Sequence, residues 1–245
     1  MNNKYSSLRR RSIQGRHNDD LDGSIARLVH GKSYKNLSTI WVTPIPGDPP
    51  MMHAKVYFDS WANLMTPMNQ PVYRLPIFNR EVGDAYNQAI ETILSHPQLC
   101  TFKYILTVEH DNLPPPDGLL KLYESIDKYD AVGGLYWTKG DLGQPMIYGN
   151  PKEMPKNFIP QKPIPETVQE CNGLGMGFTL FKVSMFAKLP KPWFKTLQEY
   201  APNSGARAAT QDLYFFQNAG REGFRFACDT RVRVGHLDLK EGTVW

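Results

Sequence analysis

Cysteine is scarce and badly placed for any structural role in this 245-residue chain. Cys100, Cys171 and Cys228 lie far apart, are odd in number and form no C-x-x-C pair. That argues against structural zinc and a disulfide framework, and it fits a reducing cytoplasm. No apolar run approaches the ~18 residues that a membrane span needs. The opening MNNKYSSLRRRSIQ has no apolar stretch of the kind a secretory leader carries, so a cytoplasmic protein without a membrane span is expected. Internal repeats are missing, and no Ser-His-Asp or Cys-His arrangement has local support. Two glycine motifs also fail. Gly31-Lys32-Ser33 looks like the tail of a P-loop, but the required first glycine falls at Ala26. Gly173-Leu174-Gly175 lacks the third glycine of a dinucleotide fingerprint, because position 178 is Phe.

What remains is an ordinary soluble composition, 41% apolar and 21% charged, at a length that suits one α/β domain. The charge is unevenly spread. Residues 1–36 hold eight Lys or Arg against three Asp, a balance of +5, so the other 209 residues carry −1 of the chain's +4. Residues 1–36 therefore read as a flexible basic arm, either solvated or greeting a polyanion such as nucleic acid.

From residue 37 on, periodicity alternates between strand and helix. Thr39–Ile45 reads as a strand, closed by the turn Pro46-Gly47-Asp48-Pro49-Pro50. Residues 54–66 fit strand or helix equally. Val72–Ile77 is a second strand. Val82, Ala85, Tyr86, Ala89, Ile90 and Ile93 recur at three and four, which predicts an amphipathic helix over 79–94 with Asn79 as its N-cap. Phe102–Val108 is a strand, Pro116–Ile126 a helix and Ala131–Tyr136 a strand, a succession that implies parallel pairing. Further on, Gln144–Tyr148 reads as a hairpin strand, and 151–165 as a proline-rich loop. Met176–Phe181 is a strand, 188–209 a mobile loop, Asp212–Ala219 a helix and Arg225–Val234 a strand ending at Gly235-His236.

One stretch raises a chemical question. In YILTVEHDNLPPP, residues 104–116, a buried apolar run stops at Glu109 and Asp111, and three prolines forbid its continuation. Ligands of open α/β sheets bind beyond the carboxyl ends of strands. In extended chain, residues two apart share a face, so both carboxylates can enter one crevice. Clustered carboxylates need a cation or a proton, and hard oxygen donors suit Mg2+ or Mn2+. The competing reading is a charged turn facing water.

Strand, Glu109-His110-Asp111, Pro114-Pro115-Pro116-Asp117 and helix together resemble the metal-binding D-x-D motif of GT-A fold glycosyltransferases, family 2-like. Asn172-Gly173-Leu174-Gly175-Met176-Gly177 leading into Phe178–Phe181 is similar to that family's glycine-rich turn. Pro192-Trp193-Phe194 matches the aromatic that follows it. Gln211-Asp212-Leu213-Tyr214-Phe215 resembles its E-D-x-x-[FL] helix start, and Asp229–His236 its terminal strand. The resemblance covers most of residues 39–238. It implies a single-domain α/β fold, a GT-A-like Rossmann-type mixed sheet, with a nucleotide-binding half over about 37–140 and an acceptor half over about 141–245.

It further implies a Mn2+- or Mg2+-dependent glycosyltransferase using a UDP- or GDP-type nucleotide sugar. Asp111 and His236 are the expected metal ligands, with Glu109 third and Asp238 behind His236. Asp212 is the expected general base. Thr43, Pro44, Ile45, Arg80, Asn87, His110, Trp137 and Lys139 are expected on the donor side. Gly173, Gly175 and Trp193 are expected near the sugar or acceptor, with 188–209 as a lid. Two departures stand out: Gln211 replaces an acidic residue, and Tyr86-Asn87 stands where relatives show Arg-Asn. Two rivals remain open at this point, a nucleotidyltransferase of similar architecture and a non-catalytic nucleic-acid binder using the arm. The arm also makes DNA one compatible acceptor, for instance a hydroxymethylated base of a viral genome.

Overall fold

β-Branched and aromatic side chains dominate Thr39–Ile45, and this segment forms strand β1, buried along nearly its whole length. The computed structural model describes residues 35–47, 51–201 and 205–245. Most of the basic arm with Gly31-Lys32-Ser33, and positions 48–50 of the first turn, lie outside the described residues. The ambiguous stretch after that turn is helical, α1 at Met51–Asp59 followed by one 3-10 turn at Trp61–Asn63. Strand β2 (Val72–Phe78) and helix α2 (Val82–Ser95) come next. Then follow β3 (Tyr104–Val108), the short β4 (Asn112–Leu113), α3 (Gly118–Ser125) and β5 (Ala131–Leu135). The second half holds β6 (Ile147–Tyr148), β7 (Val168–Cys171), β8 (Gly173–Leu174), β9 (Phe178–Lys182) and α4 (Val183–Phe186). It ends with β10 (Leu197–Ala201), β11 (Gly205–Ala209), α5 (Gln211–Arg221), β12 (Phe226–Arg233) and β13 (Gly235–His236).

Seven strands form one mixed sheet in the order β2-β1-β3-β9-β5-β12-β7. The expected parallel pairing holds for β1 with β2 and β3, and for β5 with β12. Strand β9 runs antiparallel between β3 and β5, which makes the sheet mixed as the resemblance implies. Its direction is set by the glycine turn, which enters beside the end of β3, where Glu109 N donates to the Gly177 carbonyl at 3.1 Å. The chain must then run back along β3. The result is a Rossmann-like α/β fold in which both halves of residues 37–245 share one sheet.

Alternation along the strands divides the core in two. Ile105 faces a cluster built with Ala85, Ala89, Ile90 and Ile93 of α2 and Phe215, Phe216 and Ala219 of α5. Tyr104, Leu106 and Val108 face the other, with Leu119 and Leu122 of α3. The cap of α2 differs from expectation. Glu81, whose side chain accepts from Asp84 N at 3.1 Å, is the N-cap. Asn79 instead takes a left-handed φ of 56° in the turn after β2, a conformation Asn tolerates better than most residues. The 188–209 stretch also differs. Trp193 and Phe194 are buried, and β10 pairs with β11 as an antiparallel hairpin, with positions 202–204 outside the described residues. Among the described residues no helix is long and apolar enough to cross a membrane.

Candidate active site

Two strand ends meet at the crevice. After β3, the backbone turns at Glu109, whose carbonyl accepts from Asn112 N at 3.0 Å. After β12, the chain crosses to the same place, where β13 pairs antiparallel with β4 and sets His236 opposite Asn112. Leu237 N donates to the Asp111 carbonyl at 2.8 Å. This ladder brings together residues more than 120 positions apart and sets His236 Nε2 3.5 Å from Asp111 Oδ2. The other ring nitrogen, Nδ1, lies 2.7 Å from the Trp137 carbonyl. A carbonyl only accepts, so Nδ1 carries the proton. A protonated ring donates Nε2–H to the carboxylate; in the neutral ring the Nε2 lone pair lies beside Asp111 Oδ2, and that pair of donor atoms suits a cation.

A cation is present. Lys139 Nζ sits 2.5 Å from Asp111 Oδ2. Burial alone would raise the Asp111 pKa, but the His236 contact, the charge of His110 and the Lys139 ammonium outweigh it. Together they hold the carboxyl well below the usual range.

Glu109 turns elsewhere. Its Oε1 accepts from the Tyr86 hydroxyl at 3.2 Å, and Tyr86 occupies the place where the resemblance looked for an Arg. A neutral hydroxyl compensates less charge than a guanidinium. Burial, then the charges of Asp111 and Asp212, push the Glu109 carboxyl up to about 8, against the lesser pull of Tyr86 and Lys139. No three of His, Cys, Asp and Glu come together as a metal cage among the described residues. Glu109 points to Tyr86, while Asp111 and His236 face each other.

Asp212 lies in the first turn of α5, 5% exposed. Its Oδ1 accepts from the Thr210 hydroxyl and from Leu213 N. Burial raises its pKa and these hydrogen bonds only partly oppose the rise. Glu109 thus senses the charge of Asp111 and of Asp212, and ties the two electrostatically.

Several residues named from the sequence are engaged in structural contacts. Beside Gly175 the space a Cβ would take is filled by Tyr136, and beside Gly177 by Asn112 and Tyr136. A Cβ on Gly175 would fall 2.0 Å from the Tyr136 hydroxyl, and one on Gly177 would fall 2.7 Å from its Cζ. That hydroxyl accepts from Gly177 N at 2.9 Å. Gly173 is packed against Phe158 and Phe216. Asn87 is engaged in structure, donating to the Phe194 carbonyl at 2.7 Å and accepting from the backbone N–H of Trp193 and Phe194, both at 3.1 Å. Trp193 is buried with its indole N–H on the Phe186 carbonyl. Asp238 does not support His236. It caps the terminal turn by accepting from Lys240 N and Glu241 N.

The remaining donor-side residues stay near the strand ends. Thr43 and Ile45 line a cavity of about 130 Å³ with Trp41, Tyr57, Trp61 and Arg74, although Thr43 Oγ1 is already taken by the Trp41 indole N–H at 2.9 Å. Pro44 is buried, and Arg80 is exposed in the turn after β2. Trp137 contributes its carbonyl, with its ring packed against the core. A larger cavity of about 360 Å³, lined by Lys156, Phe158, Arg221, Phe224 and Arg225 among others, opens at the far end of β12 and holds none of the crevice carboxylates. Sequence reasoning missed Tyr86, Tyr136 and Thr210. The first two read as apolar periodicity, and only their long-range partners reveal them as polar.

No known protein family matches the sequence, and no curated protein does. Among solved structures, the crystal structure of A197 from STIV is similar, with a TM-score of 0.56 and 20% identity. The match covers 82% of this chain and 86% of that one. At this identity the likeness is one of fold.

Proposed function

We propose that the chain is a glycosyltransferase that moves a sugar from a UDP- or GDP-type nucleotide sugar to an acceptor hydroxyl, with Mn2+ or Mg2+ held by Asp111 and His236. The observation that carries this reading is the meeting of those two side chains at the carboxyl ends of β3 and β12. An oxygen and a nitrogen donor 3.5 Å apart, with the far ring nitrogen anchored on a carbonyl, suit one small divalent ion. Mg2+ commonly takes only one or two protein ligands and completes its shell with phosphates and water. The ammonium at Asp111 marks the same point as one where positive charge is stabilised.

When bound, the ion would offset the charge that develops on a departing diphosphate. The protein's own groups have separate tasks. Asp111 and His236 would hold the ion, and Trp137 holds His236 in the tautomer whose Nε2 is free to do so. Glu109 keeps its proton near neutral pH, so it adds no further charge to the crevice and can offer a hydrogen bond from the oxygen that Tyr86 leaves open. Asp212 takes the proton of the acceptor hydroxyl, and its raised pKa brings it nearer working pH. The basic arm is assigned to a polyanionic acceptor, with DNA the example to test.

The test is a panel of UDP- and GDP-sugars scored by thermal stabilisation with and without Mn2+, since stabilisation follows mass action. A metal-dependent rise for at least one donor, lost in Asp111→Ala and His236→Ala, is expected. No rise with any donor would remove the reading, and pyrophosphate release from a nucleoside triphosphate would replace it with nucleotidyl transfer.

A further inference from the structure

The segment after β5 does two jobs within three residues. The Trp137 carbonyl holds His236 Nδ1 at 2.7 Å, and the Lys139 ammonium lies 2.5 Å from Asp111 Oδ2. One piece of chain therefore orients one proposed metal donor and occupies the other. Its backbone is tied down. Thr138 N donates to the Gln144 carbonyl at 2.9 Å, and Thr138 Oγ1 accepts from Gln144 N at 2.9 Å. The Lys139 side chain, by contrast, is 29% exposed and leads outward, while Asp111's is 10% exposed. Lys139 can leave Asp111 by rotating its own flexible stem, with no movement of the loop.

We propose that Lys139 is an internal counter-ion that keeps divalent metal off Asp111 until a diphosphate arrives, and then transfers to the diphosphate as the metal takes its place. This rests on the reading of Asp111 and His236 as a metal site. Two cations cannot share one carboxylate oxygen without strong repulsion. In the resting protein, Lys139 already balances Asp111, so a metal ion arriving alone must break that pair and leave the ammonium only Asp238, a carboxylate already engaged by Lys240 N and Glu241 N. A diphosphate changes that balance. It supplies oxygens both for the metal and for the displaced ammonium, so metal and diphosphate favour each other's binding. Such coupling is reciprocal and measurable from either ligand.

The probe is Mn2+ alone, followed through the paramagnetic signal of the free ion, with and without inorganic pyrophosphate, on the full chain. Wild type is expected to bind Mn2+ weakly alone, and pyrophosphate is expected to raise that affinity about tenfold or more. Lys139→Met is expected to bind Mn2+ alone about tenfold or more tightly than wild type, while pyrophosphate adds much less. Lys139→Arg keeps the charge and is expected to stay weak with Mn2+ alone. Asp111→Asn in the Lys139→Met background should abolish the gain, which locates it in the crevice. Equal Mn2+ affinity in wild type and Lys139→Met would overturn the exchange while leaving the metal site standing. Failure of both proteins to bind Mn2+, even with pyrophosphate, would overturn the metal reading and the exchange with it. Unchanged thermal unfolding in EDTA confirms that the Lys139 variants are folded.

Discussion

Replacing Glu109 with Gln tests the electrostatics of the crevice without any ligand. The Glu109 carboxyl is pushed from its ordinary 4.5 up to about 8 in the folded chain. Above pH 4.5 the unfolded chain releases a proton that the folded chain keeps, so the folded state binds more protons. Stability therefore falls as pH rises from about 4.5 to about 8, and levels off above. The full separation corresponds to roughly 5 kcal/mol. Gln keeps an oxygen that can accept from Tyr86 and has nothing to ionise, so it mimics the protonated acid. Glu109→Gln should then exceed wild type by roughly 1 kcal/mol at pH 5 and roughly 4–5 kcal/mol at pH 9. The assay is urea unfolding in EDTA at several pH values, with equal m-values required so that midpoints report stability. In thermal unfolding, the gain between those two pH values amounts to roughly 8–16 °C for a domain of this size. Subtracting wild type from variant removes the titration of distant groups. Parallel stability curves, separated by the same amount at every pH, would refute the argument that Glu109 ionises against its surroundings.

Other expectations concern packing and partners. Gly175→Ala should destabilise by about 1–3 kcal/mol, because its Cβ would overlap the Tyr136 hydroxyl. In the Tyr136→Ala background the same change should cost clearly less, and a double-mutant cycle in denaturant measures that coupling. Asn87→Ala should lower stability by roughly 1–3 kcal/mol, since two backbone N–H groups and a carbonyl lose their partner. Its donor-induced thermal shift should remain, which separates a structural role from donor binding. Changing Arg9, Arg10 and Arg11 together to Ser should weaken retention on DNA and flatten its salt dependence, while leaving donor-induced stabilisation intact.

How much of this was legible beforehand depends on whether the signal was local. The bounds of β1, the amphipathic run of α2 and the placing of Glu109 and Asp111 at a strand end follow from short-range periodicity, and the structure agrees. The approach of His236 to Asp111 followed from the resemblance, which set a histidine after the terminal strand. What escaped reading depends on pairs far apart in sequence. Nothing near Gly175 announces Tyr136, and nothing near Asn87 announces the backbone of Trp193 and Phe194, more than a hundred residues away. The direction of β9 escaped for the same reason, since an apolar strand looks alike in either orientation. Glycine is the most instructive case. Its missing Cβ signals close approach, but the sequence does not say by what.

The place of β9 bears on how the chain comes to be folded. Strands β3 and β5 are made early, yet the strand that hydrogen-bonds between them ends only at Lys182. Until that point emerges from the ribosome, two strands buried along their whole length lack neighbours, β3 on one side and β5 on both, a hazard for sticking to other chains. A fragment stopping near residue 140 should accordingly be insoluble, and refolding of the whole should be slow, limited by the long loop that must close before the middle of the sheet exists.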